Sequence, residues 1–530
     1  MLYILASVAL LSVGWLGASG FTLLVALVPL LYISDGYSSS ARDWWRMAGW
    51  AALTFVLWNV ATVWWIWIAT PIGPIAATVI STFWNMVAFM LYHYISKRAP
   101  KSVAYTILVA AWLATEYLYI HTEVLSFPWL ALGNGFSGST WAVQWYEYTG
   151  VLGGTLWVLL SNIAVFEALK QRTKWTAVRA GVVALLPVVV SLVIYWSYEP
   201  QSERVKVAVL QPNVDCYDEK FNNTATRQMQ NIVDLISQTP ADTKIIVLPE
   251  TALPNMVDDD EPQSDIAVQK LDSVRMQYCP QAMVSIGAST EKIYKKGERP
   301  SKTAREQKGM APIIVGGQRF AVPMVVGYFD IYNSAIAING DGAGDVHHKM
   351  RLVVGVETMP WWFKSLSELI DLGGVTGQLG RNDKPTVFEK GGVKAGPAIC
   401  YEGLYGDCFA RFVREGAEVM LVMSNDGWWS NTPGHKRLFD FCRLRAIETR
   451  RAIARSANTG VSGFITSRGD VEQRLDWDKR GVLSADVEVG SRTTAYVTYG
   501  DWLGRMGLLL TFLGVLYFVA YRIRRKNHLV

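Results

Sequence analysis

Val393-Lys-Ala-Gly-Pro-Ala-Ile-Cys-Tyr-Glu402 is a short, mostly apolar run that delivers a cysteine and then turns polar. A run of this length and character reads as a buried strand, which puts Cys400 at its carboxyl end. Upstream, Lys349 lies in His347-His-Lys-Met-Arg-Leu352 and Glu250 in Leu248-Pro-Glu-Thr251, each beside another strand-like segment. A carboxylate, an ammonium and a thiol supply a base, an oxyanion stabiliser and a nucleophile, the set that acyl transfer requires. Farther upstream, Met1 to Tyr198 is dominated by apolar runs. A soluble acyl-transfer enzyme has no use for such a segment, so the acyl group is expected to be a lipid's.

The 530 residues leave room for two or three domains. Hydrophobic content is 51 % with 22 Trp, yet the mean hydropathy is only +0.18, because two populations are averaged. Beyond Gln201 charges become frequent and the pattern is that of a soluble α/β domain. Net charge is +5, but the basic residues sit in short clusters beside apolar segments. That placement suits membrane orientation rather than a polyanion, and no nucleic-acid partner is expected. The cysteines at 216, 279, 400, 408 and 442 form no CxxC pair, which argues against a disulfide scaffold or a zinc site. Apart from Cys400 they read as inert core.

Spans are expected near Leu2–Leu16, Phe21–Ile33, Met47–Ala69, Ile72–Ile95, Val103–Ile120, Val151–Leu169 and Ala177–Trp196, with an eighth near Trp502–Tyr521. Only Gly17-Ala-Ser-Gly20 separates the first two, so one long tilted helix is an alternative. Basic clusters occur at Arg42/Arg46, Lys97/Arg98/Lys101, Lys170/Arg172/Lys174/Arg179 and Arg522/Arg524/Arg525/Lys526. Two spans separate successive clusters, so all four share one side, which the positive-inside rule makes cytoplasmic. The loop from His121 to Thr149 holds Glu123 and Glu147 and no Lys or Arg; it faces the other side, together with the domain between spans seven and eight. Its Ser126-Phe-Pro-Trp-Leu130 and Trp141, Trp145, Tyr146 and Tyr148 read as an interfacial belt, or as a lid that helps lipid reach the outer domain.

In the outer domain, strands are predicted at Val205–Leu210, Ile245–Leu248, Ala282–Gly287, Asn333–Ile338, Val393–Ile399, Val419–Ser424 and Gly463–Thr466. Helices are predicted at Thr226–Ser237, Gly406–Glu415 and His435–Arg451. The alternation, with runs suited to burial on both faces, makes an α/β layered sheet the expected class. Reactive residues gather beyond the carboxyl ends of such strands, where Glu250 and Cys400 fall. The charged stretch Lys292–Lys308 reads as a solvated hairpin extension or as a surface that touches anionic headgroups.

A thiol attacks an ester well only as thiolate. Glu250 is the expected proton acceptor, on the condition that burial raises its pKa toward working pH. Lys349 and the backbone N–H of Tyr401 are the expected oxyanion donors. Glu402 and Glu357 are expected to orient Lys349 or share its charge. His347 and His348, adjacent and so divergent, are assigned to the surface.

These segments, with Ser424-Asn-Asp-Gly-Trp428, Arg443-Leu-Arg-Ala-Ile-Glu448 and Ala457-Asn-Thr-Gly460, resemble the nitrilase superfamily. With seven preceding spans and one following, the whole chain is similar to the apolipoprotein N-acyltransferase family. The resemblance implies an αββα sandwich with a Glu–Lys–Cys triad, here Glu250, Lys349 and Cys400, supported by Glu357, Tyr401 and Glu402. It further implies a bacterial cytoplasmic (inner) membrane enzyme with a periplasmic catalytic domain. Such an enzyme takes an acyl chain from a phospholipid, commonly phosphatidylethanolamine, as a thioester. It passes that chain to the N-terminal amine of the diacylglyceryl-cysteine of an apolipoprotein. No metal or organic cofactor is called for. The domain plan becomes 1–198 transmembrane, 199–500 nitrilase-like and 501–530 final helix with a basic tail. Two departures stand out. The chain has Leu352-Val-Val-Gly-Val-Glu357 where the family usually reads Leu-Val-Pro-Phe-Gly-Glu, and Tyr217 or a neighbour replaces a tryptophan often found after the first strand. The rival is a membrane-tethered nitrilase-type amidase that hydrolyses a small amide. Eight spans argue against it, since one would tether a hydrolase.

Overall fold

A computed structural model of the chain describes residues 1–17, 19–122, 126–214, 225–315, 318–340, 344–359 and 378–526. Cys216, Tyr217 and Glu123, named above, lie outside the described residues.

Backbone in lipid must satisfy its own hydrogen bonds, and the apolar runs accordingly fold as helices. They are α1 (Leu2–Ser12), α2 (Val28–Gly36), α3 (Ala41–Val63), α4 (Ile66–Ala69), α5 (Gly73–Ser96), α6 (Lys101–His121), α7 (Tyr146–Thr149), α8 (Val151–Gln171) and α9 (Lys174–Ser197). Among the described residues α5, α6, α8, α9 and the terminal helix Trp502–Lys526 are long and apolar enough to cross a bilayer. The other three expected spans depart from that. α1 and α2 have 11 and 9 residues, too few at about 1.5 Å per residue for a core about 30 Å thick. A 3₁₀ segment, Gly20–Val25, divides them, so they are not one tilted helix. α3 has 23 residues but ends at Val63, short of the expected Ala69, and Ile66–Ala69 follows as a separate short helix.

Pro187 inside α9 cannot donate to the carbonyl of Val183. The Trp157 indole of α8 fills that vacancy, donating to Val183 O at 3.0 Å. At one end of the helical bundle Lys97 reaches Asp35 O, Arg98 reaches Ser39 O, Lys101 meets Glu167, and Lys170 pairs with Asp35. Basic residues from separate loops thus share one end.

The domain from Arg204 to Glu488 is built on two sheets. The first contains β1 (Arg204–Gln211), β2 (Ile245–Val247), β3 (Met256–Asp258), β4 (Met283–Ile293), β5 (Arg305–Val315), β6 (Gln318–Ile338) and β7 (Val346–His348), completed by β14 (Gly481–Glu488). The second holds β8 (Phe388–Lys390), β9 (Val393–Ile399), β10 (Val419–Ser424), β11 (Ile453–Ala457), β12 (Ser462–Ile465) and β13 (Val471–Leu475). At the heart of each, three strands run parallel: β1, β2 and β4 in one, β9, β10 and β11 in the other.

Period-two burial explains the layers. Val207, Val209, Ile245 and Val247 join the core shared with Leu421, Met423 and Ile453 of the second sheet. Their neighbours Ala208, Leu210, Ile246 and Leu248 face outward instead. There they pack on α10 (Ala225–Ser237) and α11 (Ile266–Tyr278) through Ile232, Leu235, Val268 and Leu271. Helices α12 (Gly406–Arg414) and α13 (Pro433–Thr449) cover the second sheet. The chain is therefore a helical region with several apolar helices joined to an αββα sandwich. After β14 it passes through α14 (Ala495–Tyr499) into α15 (Trp502–Lys526).

Candidate active site

Two strand ends, one from each sheet, meet across the sandwich. β2 ends at Val247 and Leu248-Pro-Glu250 continues from it; β9 ends at Ile399 and Cys400 follows. The backbone turns sharply at both places. Thr251 has φ 47° and Cys400 φ 46°, left-handed conformations that cost a side-chain-bearing residue about 1–2 kcal/mol. Such strain collects where a fold must aim a side chain. Gly287 on β4 makes the first turn possible: a Cβ there would lie 2.5 Å from Thr251 N and 2.6 Å from Glu250 Cα.

Lys349 follows β7 and is buried, 1 % exposed. Its Nζ lies 2.9 Å from Glu250 Oε1 and 3.0 Å from Glu357 Oε1. Asn333 on β6 donates its amide to the same two oxygens, at 2.8 Å each. The Asn425 N–H, just past β10, donates to Glu250 Oε2 at 3.1 Å. The Cys400 thiol hydrogen-bonds Glu250 and feels the Lys349 charge. Residues 250, 349 and 400, far apart in the chain, thus share one buried pocket.

Electrostatics fixes their resting charges. Burial alone would push Glu250 up, but the Lys349 ammonium, with hydrogen bonds from Lys349, Asn333 and Cys400, holds it below the ordinary carboxylate value. The condition placed on Glu250 is therefore not met: it is a stabilised carboxylate, not one whose pKa has been raised by burial. Burial lowers Lys349, yet Glu250 and Glu357 together overcome that and raise it. Cys400 is raised by burial first and by the Glu250 charge second, against the pull of Lys349. At rest the site holds carboxylate, ammonium and neutral thiol.

Of the supporting residues, Glu357 does share the Lys349 charge, and its other oxygen accepts from Val353 N at 2.8 Å. Glu402 does not touch the ammonium. It is fully buried, and it accepts from Met350 N at 2.7 Å and Ile399 N at 2.6 Å. It thereby ties the backbone beside Lys349 to the backbone beside Cys400. The Tyr401 hydroxyl donates to Ser126 O at 2.8 Å, and that of Tyr405 to Ser126 Oγ at 2.8 Å. The cysteine turn thus rests on the loop between α6 and α8. Trp129 of that loop packs against Trp65, Phe127, Phe441 and Trp429. The surface assignment of the histidines is corrected for His347: β7 turns its ring into the core, 3.7 Å from Glu402 and edge-on to Phe412. His348, on the opposite face, meets Asp259 and Ser334.

Residues 206–496 match the family described as carbon-nitrogen hydrolase. The chain belongs to the carbon-nitrogen hydrolase family. Residues 5–164 match the apolipoprotein N-acyltransferase N-terminal domain. A protein of Chlorobaculum tepidum named apolipoprotein N-acyltransferase is 27 % identical over 94 % of this chain and 91 % of its own length. One of Thermotoga maritima with the same name is 23 % identical over 94 % and 89 %. Among solved structures, Saccharomyces cerevisiae Nit3, a nitrilase-superfamily member, is 18 % identical with a TM-score of 0.38, covering 55 % of this chain and 92 % of that one.

Two groups in this pocket are not assigned by side-chain pattern. Asn333 opens a predicted strand and has no role there, although a polar residue inside an otherwise apolar run is a usable signal. Asn425 lies in a quoted motif, but it acts on Glu250 through its backbone, which no side-chain pattern reveals. Behind it, the fully buried Asp426–Arg455 pair, 3.0 Å apart, braces the loop, with Ser424 Oγ donating to Asp426 at 2.5 Å.

Proposed function

We propose that this enzyme transfers a fatty acyl chain from a phospholipid, such as phosphatidylethanolamine, to the N-terminal amine of the diacylglyceryl-cysteine of an apolipoprotein. Catalysis uses Glu250, Lys349 and Cys400, at the outer face of the bacterial inner membrane. The observation that carries this reading is the buried meeting of those three groups beside a cysteine turn that rests, through Tyr401 and Tyr405, on Ser126 of the loop between the membrane helices. The clustering of Lys97, Arg98, Lys101 and Lys170 at one bundle end supports the sidedness.

As the Cys400 sulfur attacks the ester carbonyl, its proton passes to Glu250. Concerted transfer suits a raised thiol beside a stabilised carboxylate, because free thiolate need never accumulate. Negative charge moves onto the carbonyl oxygen, where the Lys349 ammonium and the Tyr401 N–H receive it. The tetrahedral intermediate collapses, the carbon–oxygen ester bond breaks, and Glu250 returns its proton to the departing lysophospholipid. The acceptor amine then attacks the thioester and gives a proton to Glu250. The carbon–sulfur bond breaks and the thiol is restored. Burial keeps water from the thioester.

The test is the intact mass of the protein after incubation with phosphatidylethanolamine of one defined chain length. A single acyl adduct on Cys400, lost when a diacylated lipopeptide is added, is expected. Turnover of small amides with no lipid-derived adduct would instead favour the amidase.

A further inference from the structure

β6 is 21 residues long, but only its second half belongs to the body of the sheet. Phe329 to Ile338 pair with β4. Gln318 to Tyr328 form their ladder with β5, which forms the sheet's edge. A two-stranded ribbon therefore projects from the domain. Its direction follows from the pairing. β4 runs parallel to β2, with Ser285 opposite Val247, and continues to Ile293, well past the level of Glu250. β6 extends beyond Ile293 the same way, by 11 residues or up to about 35 Å if straight. That is the edge of the sandwich where Tyr401 and Trp429 meet the membrane helices. The ribbon thus leaves on the membrane side.

Its composition is wrong for water. The sequence from Met310 to Val326 holds two charged or amide side chains, Gln318 and Arg319. Met310 is 66 % exposed, Met324 54 % and Val326 57 %, and isolated ribbons of this kind are marginal in solvent. At the root the character reverses. Residues 292–308 carry seven Lys and Arg against two Glu, and Lys295 is largely exposed. A basic root below an apolar tip has the order of a headgroup layer over acyl chains.

We propose that the β5–β6 ribbon is a membrane-dipping arm, which buries its apolar half in the outer leaflet and sets its basic root on anionic headgroups. It then holds the pocket mouth against the surface from which the donor lipid is drawn. This rests on the membrane reading of the helices, and the experiment separates the two.

The full chain is reconstituted in vesicles of phosphatidylethanolamine and phosphatidylglycerol, with a single environment-sensitive fluorophore on a cysteine. The three positions are Met324→Cys in the ribbon, Lys295→Cys at its root and Val189→Cys on α9. Lipids spin-labelled on the acyl chain should quench the probes at 324 and 189, and leave that at 295 bright. Quenching at 189 but not at 324 would overturn the arm alone. A probe at 324 that is shielded only by a second copy of the chain, seen as disulfide-linked dimers of Met324→Cys without lipid quenching, would overturn it too. Absence of quenching at 189 would sink the membrane reading. As a functional readout, M310S/M324S/V326S should raise KM several-fold for donor phospholipid in vesicles and leave KM for detergent-dispersed donor unchanged. Equal effects in both would also count against the arm.

Discussion

Two buried ion clusters in this molecule look alike on paper and behave as opposites. In the pocket, Glu250 and Glu357 share Lys349. At the junction with the membrane helices, Arg450 grips Glu147 at 2.8 Å, Gln144 Oε1 at 2.7 Å and the Gln144 and Ser467 carbonyls. Beside it, Glu448 accepts from Val151 N, at the start of α8, and from Arg445. Both clusters are largely buried and both join distant parts of the chain. The difference is the cation and what stands beside it. A guanidinium spends its fixed fork of donors on the frame, whereas an ammonium next to a strained cysteine keeps a charge within reach of the thiol that the proposed reaction would use. Buried charge alone therefore does not mark catalysis.

The largest effects should break the pocket without touching the joint. Cys400→Ala is expected to reduce acyl transfer by about 10⁴-fold or more. Lys349→Arg should reduce it by about 10²–10³-fold, because an oxyanion donor is displaced rather than discharged. Both proteins should melt close to the parent in a thermal scan in detergent. Arg450→Ala is the mirror experiment. It strands Glu147, with only the more distant Arg492, 3.5 Å away, to compensate. A loss of about 3–5 kcal/mol is expected, read as a clear fall in Tm, with kcat retained at low temperature. A catalytic collapse at unchanged Tm would abolish the distinction.

A subtler test reaches the pocket through its wall. Gly287→Ala adds one carbon where 2.5 Å separates it from Thr251 N, so the Glu250 turn must shift. Overpacking of this kind costs about 1–3 kcal/mol, and a misplacement near 1 Å costs up to about 10²-fold in rate. Activity should fall more than stability does, as measured by kcat against Tm. Parental kcat in this variant would mean the turn need not be held so tightly.

Much of this was legible from residues alone. Strand β10 is a continuously buried apolar run and β9 is buried except at Lys394, so Val393–Ile399 and Val419–Ser424 could be bounded closely. Cys400 and Glu250 followed as the polar residues that end such runs. What stayed hidden has common physical reasons. Strand β13 is largely exposed, so it has no buried period to read. The ribbon of β5 with the first half of β6 lacks a core face. His347 is buried by the register of a three-residue strand, which no pattern of that length specifies. The charge state of Glu250 depends on a lysine 99 positions away, a distance in sequence that carries no information about distance in space.

The smallest predicted effect separates the clusters by sign. Glu250 sits below the ordinary carboxylate value, so its contribution to stability is present above that value and is lost as pH falls through its folded pKa. Glu448 is the reverse: burial, with Asp501 and Asp407 adding to it, outweighs Arg445 and pushes it up to about 8. Between the ordinary value and about 8 the folded chain holds a proton that the unfolded chain has released, so stability declines as pH rises across that window. Replacing Glu448 by Gln removes the titrating group and keeps an acceptor for Val151 N. Thermal scans from pH 5 to 8 should show a shallower decline in Glu448→Gln than in the parent, with acyl transfer at pH 7 little changed. Parallel curves would place Glu448 among permanently charged structural ions, and the contrast between joint and pocket would then rest on the cations alone.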